Sequence, residues 1–146
     1  MPNNNIILHG RGIVGGVVEG KALVSNDPIV WSHGVDPPTG KIDDVRVVVS
    51  GKTIKDTVFV YPYGKGSTSG STWMLETIRC GNGPLAIINK ETEIIIAIGA
   101  ILGDVLYQQK TPVVDRLDQN PLKVIETGDW VKVDGDRGIV EVIKAD

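Results

Sequence analysis

The chain has 146 residues, 41% of them hydrophobic and 23% charged, with a net charge of −3 at pH 7. That size and balance suit one globular domain able to bury a core of its own, and they exclude a disordered chain. No basic cluster points to nucleic acid. The single cysteine, Cys80, excludes an internal disulfide and a self-contained cysteine-ligated zinc or iron–sulfur site, and it fits a reducing, cytoplasmic setting.

The opening residues 1–5 lack the basic start and apolar core of a secretory leader. The longest apolar stretch, residues 94–102, is far shorter than the roughly 20 residues a membrane span needs. Residues 6–8 open a short strand. Gly10, Gly12, Gly15, Gly16 and Gly20 then punctuate a stretch with little helix potential, in which residues 17–18 and 22–24 read as strands of a meander.

Residues 25–44 carry Pro28, Pro37 and Pro38 among turn formers and read as a long loop, a length that compact domains usually reserve for function. Residues 45–49 and 57–61 are β-branched runs that predict strands, the second ended by Pro62. Trp73, Met74, Leu75 and Ile78 fall at helical spacing, with Gly81 as the stop. Residues 85–89 predict a buried strand, residues 93–106 a buried helix, residues 113–114 a short strand, and residues 130–133 with 139–143 a closing hairpin. There is no internal repeat and no linker, so residues 1–146 read as one mixed α/β domain with a barrel-like sheet and few helices.

The chemistry concentrates between the second β-branched run and the first helix. Gly64-Lys65-Gly66-Ser67-Thr68-Ser69-Gly70-Ser71 holds three glycines and three serines in eight residues. Glycines let backbone approach a ligand, and the unpaired N–H groups and dipole of a helix start favour an anion there. Serine and glycine are also routine helix caps, which is the commoner explanation from composition alone. The phosphate-loop pattern fails because Gly66 follows Lys65, and the serine-hydrolase elbow fails in its spacing.

The stretch Pro62-Tyr63-Gly64-Lys65-Gly66-Ser67-Thr68-Ser69-Gly70-Ser71 resembles the Pro-x-Gly-Arg-Gly-Ser-x-x-Gly-Ser loop of the aconitase X family small subunit. Further likeness comes from Gly10-Arg11-Gly12-Ile13-Val14-Gly15-Gly16, from Gly34-Val35-Asp36-Pro37-Pro38-Thr39-Gly40, and from Pro112-Val113-Val114-Asp115 with Thr127-Gly128-Asp129, so it spans nearly the whole chain. Lys65 stands where the family usually has Arg, replacing a planar fork by a point charge. The Arg-Glu-His tail of the classical aconitase loop is replaced by Thr68-Ser69-Gly70-Ser71.

The resemblance implies a swivelling β/β/α domain with a barrel-like sheet and two main helices. It implies a hydro-lyase small subunit in which Ser67 removes the proton α to a substrate carboxylate. Lys65, Gly66, Thr68, Ser69, Ser71, Asp36 and Thr39 are then the expected substrate contacts. The iron–sulfur cluster is expected on a large partner subunit, and no metal on this chain. The implied substrate is a hydroxyacid: (R)-5-phosphomevalonate, favoured by residues 112–117 and 127–134, or else cis-3-hydroxy-L-proline. A swivel module that binds carboxylate or phosphate without chemistry is the reading from another class. Neither nucleic acid nor membrane is an expected partner.

Three other side chains invite attention. His33 could touch substrate, although a lone loop histidine is more often simply solvated. Cys80 is expected in core packing. Trp31 and Trp130 suit either the core or a partner interface.

Overall fold

The computed structural model describes residues 5–145; residues 1–4, most of the opening read for a leader, and residue 146 lie outside it. Among the described residues no helix is long and apolar enough to cross a membrane.

Four parallel strands form the centre of the sheet: β3 (Val17–Val24), β7 (Val58–Tyr61), β9 (Ala86–Asn89) and β10 (Val113–Asp115). Parallel neighbours need crossovers: the loop-rich residues 25–57 carry the chain from β3 to β7, and two helices supply the others, α1 (Gly70–Arg79) between β7 and β9 and α2 (Ile94–Tyr107) between β9 and β10. Antiparallel strands extend both sides. The hairpin β11 (Trp130–Asp134) and β12 (Ile139–Ile143) joins β3, β1 (Asn5–His9) pairs with β12, and β2 (Arg11–Val14) pairs with β10. The resulting eight-stranded order runs β1-β12-β11-β3-β7-β9-β10-β2. Its two edge strands are consecutive in the chain and separated by Gly10 alone, whose N–H donates to the Gly138 carbonyl at 2.8 Å, so the sheet curls back on itself. This is the mixed, barrel-like α/β fold expected.

Strand alternation sorts the core into two layers. Phe59, Tyr61, Ile87 and Val113 face the helices, where they meet Met74, Ile78, Ile96 and Ala100. Val58, Val60, Ala86, Ile88 and Val114 face the other way, toward Leu8, Val131, Val133, Val140 and Val142. Both helical crossovers therefore lie on one face, and the hairpin closes the other. Helices α1 and α2 touch closely because α2 turns small residues inward: a Cβ on Gly99 would lie 2.9 Å from the sulfur of Met74.

Several expectations are corrected. The two strands expected at residues 17–18 and 22–24 are one continuous β3, and the glycine-rich stretch before it, read as having little helix potential, holds β2. Residues 45–49 are turns, not a strand. Their backbone is used locally: the N–H of Val47 donates to the Asp44 carbonyl at 3.4 Å, that of Ser50 to the Val47 carbonyl at 3.2 Å, and that of Val48 to the Asp27 carboxylate at 3.1 Å. Val47 and Val49 are buried while Val45 and Val48 are exposed. The loop of residues 25–44 contains three two-residue strands, β4 (Ile29–Val30), β5 (Val35–Asp36) and β6 (Lys41–Ile42). A short helix, α3 (Pro121–Val124), was not anticipated; Asn120 caps it, accepting from the Leu122 N–H at 3.0 Å, with Pro121 in the first turn.

Candidate active site

In a parallel α/β sheet the carboxyl ends of the strands are where loops meet helix N-termini. The serine loop leaves the carboxyl end of β7 and enters α1. Two features fix its path. The short strand β8 (Gly64–Lys65) pairs parallel with β4, so a segment more than thirty positions earlier is held against it. Gly66 then turns with φ +104°, and a Cβ there would sit 3.0 Å from Val30 Cγ1. A side chain at this position would strain the turn and push the two segments apart.

Ser67, Thr68 and Ser69 follow, all exposed. Among the described residues no protein acceptor takes their backbone N–H groups, which stand just before the first turn of α1. Ser69 occupies the N-cap position yet makes no side-chain cap. Its hydroxyl lies 2.6 Å from that of Ser67 and 2.6 Å from that of Ser32. Ser32 Oγ lies 3.3 Å from His33 Nδ1. The imidazole packs on Trp73 of α1, ring centroids 4.3 Å apart. Trp73 is itself pinned by donating from Nε1 to the Val35 carbonyl at 2.5 Å. Four polar side chains from two distant segments thus form one line: Ser67, Ser69, Ser32, His33.

The remaining expected contacts are spread more widely. Lys65 is exposed and makes no salt bridge among the described residues. Arg46's hydrogen bond holds the Asp44 carboxyl below its usual range, with a smaller lowering contribution from the charge of Lys65. Ser71 turns its hydroxyl to the Thr68 carbonyl at 3.2 Å. Asp36 and Thr39 bond each other, Oγ1 to Oδ2 at 2.6 Å, in a turn whose neighbour Pro37 accepts from Asn82 beyond the far end of α1. The structure brings Ser67, Ser69, Ser32 and His33 together; it puts Asp36 and Thr39 along α1 instead. Ser32 was absent from the sequence reading, and only the pairing of β4 with β8 reveals it.

Trp31 is a core residue, 1% exposed, and Trp130 is 41% exposed. Cys80, expected in the core, is exposed at the C-terminal end of α1, the opposite end from Ser67. Among the described residues no three His, Cys, Asp or Glu side chains gather as a metal site. One exposed thiol is not the donor set of an iron–sulfur cluster.

The chain thus has a curled sheet, two helices on one face and an exposed serine loop at the end of a central strand. Residues 7–142 match the family described as the aconitase X swivel domain, and the chain belongs to that family. It is 44% identical over 139 residues to the phosphomevalonate dehydratase small subunit of Methanosarcina acetivorans, covering 95% of this chain and 92% of that one. The phosphomevalonate dehydratase small subunit of Pyrococcus furiosus is 43% identical over 136 residues, 93% of this chain and 95% of that one. Among solved structures, the crystal structure of Thermococcus kodakaraensis aconitase X in its holo form superposes with a TM-score of 0.86 at 40% identity, covering 95% of this chain and 99% of that chain.

Proposed function

We propose that this chain, a single swivelling domain across residues 1–146, is the small subunit of a heteromeric hydro-lyase that dehydrates (R)-5-phosphomevalonate to trans-anhydromevalonate 5-phosphate. Ser67 is its base. The observation that carries this reading is the Ser67 hydroxyl, exposed at the carboxyl end of the central strand beside backbone N–H groups with no partner among the described residues. Such donors stabilise negative charge developing on an oxygen placed among them.

The residues act as follows. Ser67 takes the proton from the carbon α to the substrate carboxylate. The N–H groups at the start of α1, with Gly66, Thr68 and Ser69, hold the carboxylate and stabilise the charge that builds on Ser67. Lys65, an exposed cation in the same loop without a salt bridge among the described residues, receives the substrate's phosphate, which favours a phosphorylated hydroxyacid over hydroxyproline. Ser71, in the first turn of α1, lines the approach, while Asp36 and Thr39, set along α1, do not touch the substrate.

The loop is an open half-site, and the relatives' name of small subunit implies the other half. The iron–sulfur cluster belongs to that large subunit. Helix α2 supports a protein partner: Ile94, Ile98, Ile101 and Val105 form an exposed stripe at helical spacing, and Ile94 stands 72% exposed. The stripe begins beside the serine loop, since Glu93 Oε1 would lie 2.8 Å from a Cβ on Gly64. A subunit that closes the site over Ser67 therefore meets this stripe.

The test is purification with the large subunit, incubation with 5-phosphomevalonate, and detection of a product lighter by one water. Ser67→Ala should lower kcat by at least a hundredfold, about 2.7 kcal/mol of barrier, while leaving the thermal melt near that of the parent. A Ser67→Ala enzyme that keeps more than about a tenth of kcat would remove Ser67 from the base role.

A further inference from the structure

The N-cap serine of α1 does not cap. Ser69 spends its hydroxyl on two others, Ser67 and Ser32, each at 2.6 Å. The line then continues from Ser32 to His33 Nδ1 at 3.3 Å. His33 is held in the left-handed region, φ 64°, and its ring lies against Trp73 at 4.3 Å. Non-glycine residues adopt that region uncommonly and at a cost, so the neighbouring structure is setting the imidazole's position. The ring carries the one side-chain base in this line of hydroxyls, and it remains exposed to water.

We propose that Ser69 and Ser32 form a proton relay from Ser67 to His33, making His33 the positioning and proton-accepting residue behind the serine base. This deepens the reading of Ser67 as base and rests on it. The residue accepts through Ser32 and does not touch substrate.

The step balances as follows. The substrate's α C–H bond breaks and its proton bonds to Ser67 Oγ. The proton Ser67 already carried passes to Ser69 Oγ, that of Ser69 to Ser32 Oγ, and that of Ser32 to His33 Nδ1, giving an imidazolium. The C–H electron pair becomes the new carbon–carbon double bond, and the β-hydroxyl leaves with its own bonding pair. The imidazolium yields its proton to solvent, so one hydroxide and one proton leave as water. A free serine alkoxide need not accumulate, because each hydroxyl gains one proton as it loses another.

Three variants of the reconstituted two-subunit enzyme test this. His33→Gly suits a backbone at φ 64° and opens a hole on Trp73. It should lower kcat by about tenfold or more, with KM within about twofold, and added imidazole should restore kcat in proportion to its concentration. Ser32→Ala should lower kcat similarly without rescue, because the break then lies between Ser69 and the base. Ser67→Ala should be inactive with or without imidazole. Parent-like kcat in His33→Gly or Ser32→Ala, beside an inactive Ser67→Ala, overturns the relay and leaves Ser67 as base. A loss in His33→Gly that imidazole does not restore, with the melt unchanged, also overturns it. An active Ser67→Ala overturns the underlying reading instead.

Discussion

Trp31 Nε1 donates to the Tyr61 hydroxyl across 3.1 Å, and both side chains are essentially without solvent contact. Trp31 also meets Phe59 edge-on, ring centroids 6.4 Å apart. This pair ties the loop bearing Ser32 and His33 to the end of β7, from which the serine loop departs. Burial pushes the Tyr61 hydroxyl well above its ordinary range, so it stays neutral and able to accept.

Tyr61→Phe would keep the ring and orphan a buried indole N–H. The expected loss is about 1–2 kcal/mol in urea unfolding. Trp31→Phe should show a comparable loss plus the cost of missing volume. The double variant should lose less than the sum, and strict additivity would show that the bond contributes nothing.

Gly66→Ala should lower both stability and turnover. Alanine must adopt φ +104° and place its Cβ 3.0 Å from Val30 Cγ1. The strain is worth about 1–3 kcal/mol. Its relief by widening the gap between β4 and β8 would move Ser32 away from Ser69. A melt lowered by several degrees together with a reduced kcat is the expected pair of results; a reduced melt with unchanged kcat would show that the register of β4 and β8 does not govern the site.

The exposed stripe on α2 separates folding from assembly. Ile98 and Ile101 are 42% and 46% exposed in the isolated chain. Ile98→Asp and Ile101→Asp should change the melt of the isolated chain by no more than about 0.5 kcal/mol in stability. Each should weaken co-purification with the large subunit. Retained assembly with both substitutions present would place the partner on another face.

Most of the central architecture was legible in the sequence because it rests on strong local signals. The flat apolar run before Asn89, the helical spacing from Trp73 to Ile78 and the hairpin around Asp134 and Gly138 all formed as expected. The serine loop was legible through its density of glycine and serine. Residues 45–49 misled because β-branched valines favour a strand only where an edge offers partners. Here the N–H of Val48 goes to Asp27 instead. Asn120 before Pro121 did carry a helix-start signal, and the short α3 follows it. Ser32 could not be read at all. Its nearness to Ser69 depends on a two-residue parallel pairing, Ile29 with Gly64 and Val30 with Lys65, that leaves no mark in periodicity. Cys80 was misplaced for a related reason: the helical stripe predicts which face is buried, but the last turn of α1 runs out past the core.

Acid should unfold this domain through two buried carboxylates. Asp115 is fully buried at the end of β10. Burial alone would raise its pKa. Two bonds from Arg11, each 2.9 Å, and one from the Thr92 N–H at 2.8 Å outweigh that, and the net shift is downward from 3.8. Asp129 behaves alike. Burial pushes it up, but the Ala145 N–H at 2.9 Å, Lys144 at 2.6 Å and the Glu126 N–H at 2.8 Å bring it below 3.8. A carboxyl whose folded pKa lies below its unfolded one contributes stability that is present above the unfolded value and lost as pH falls through the folded value. The urea midpoint should therefore hold steady down to about pH 4 and fall steeply below it. Asp115→Asn keeps the shape but removes the charge facing Arg11. It should lower stability at neutral pH by about 2 kcal/mol. It should also flatten the fall below pH 4, because one of the two groups no longer binds a proton on unfolding. A variant as stable as the parent at pH 7, or one with an undiminished acid slope, would show that the Arg11–Asp115 pair does not set the acid limit.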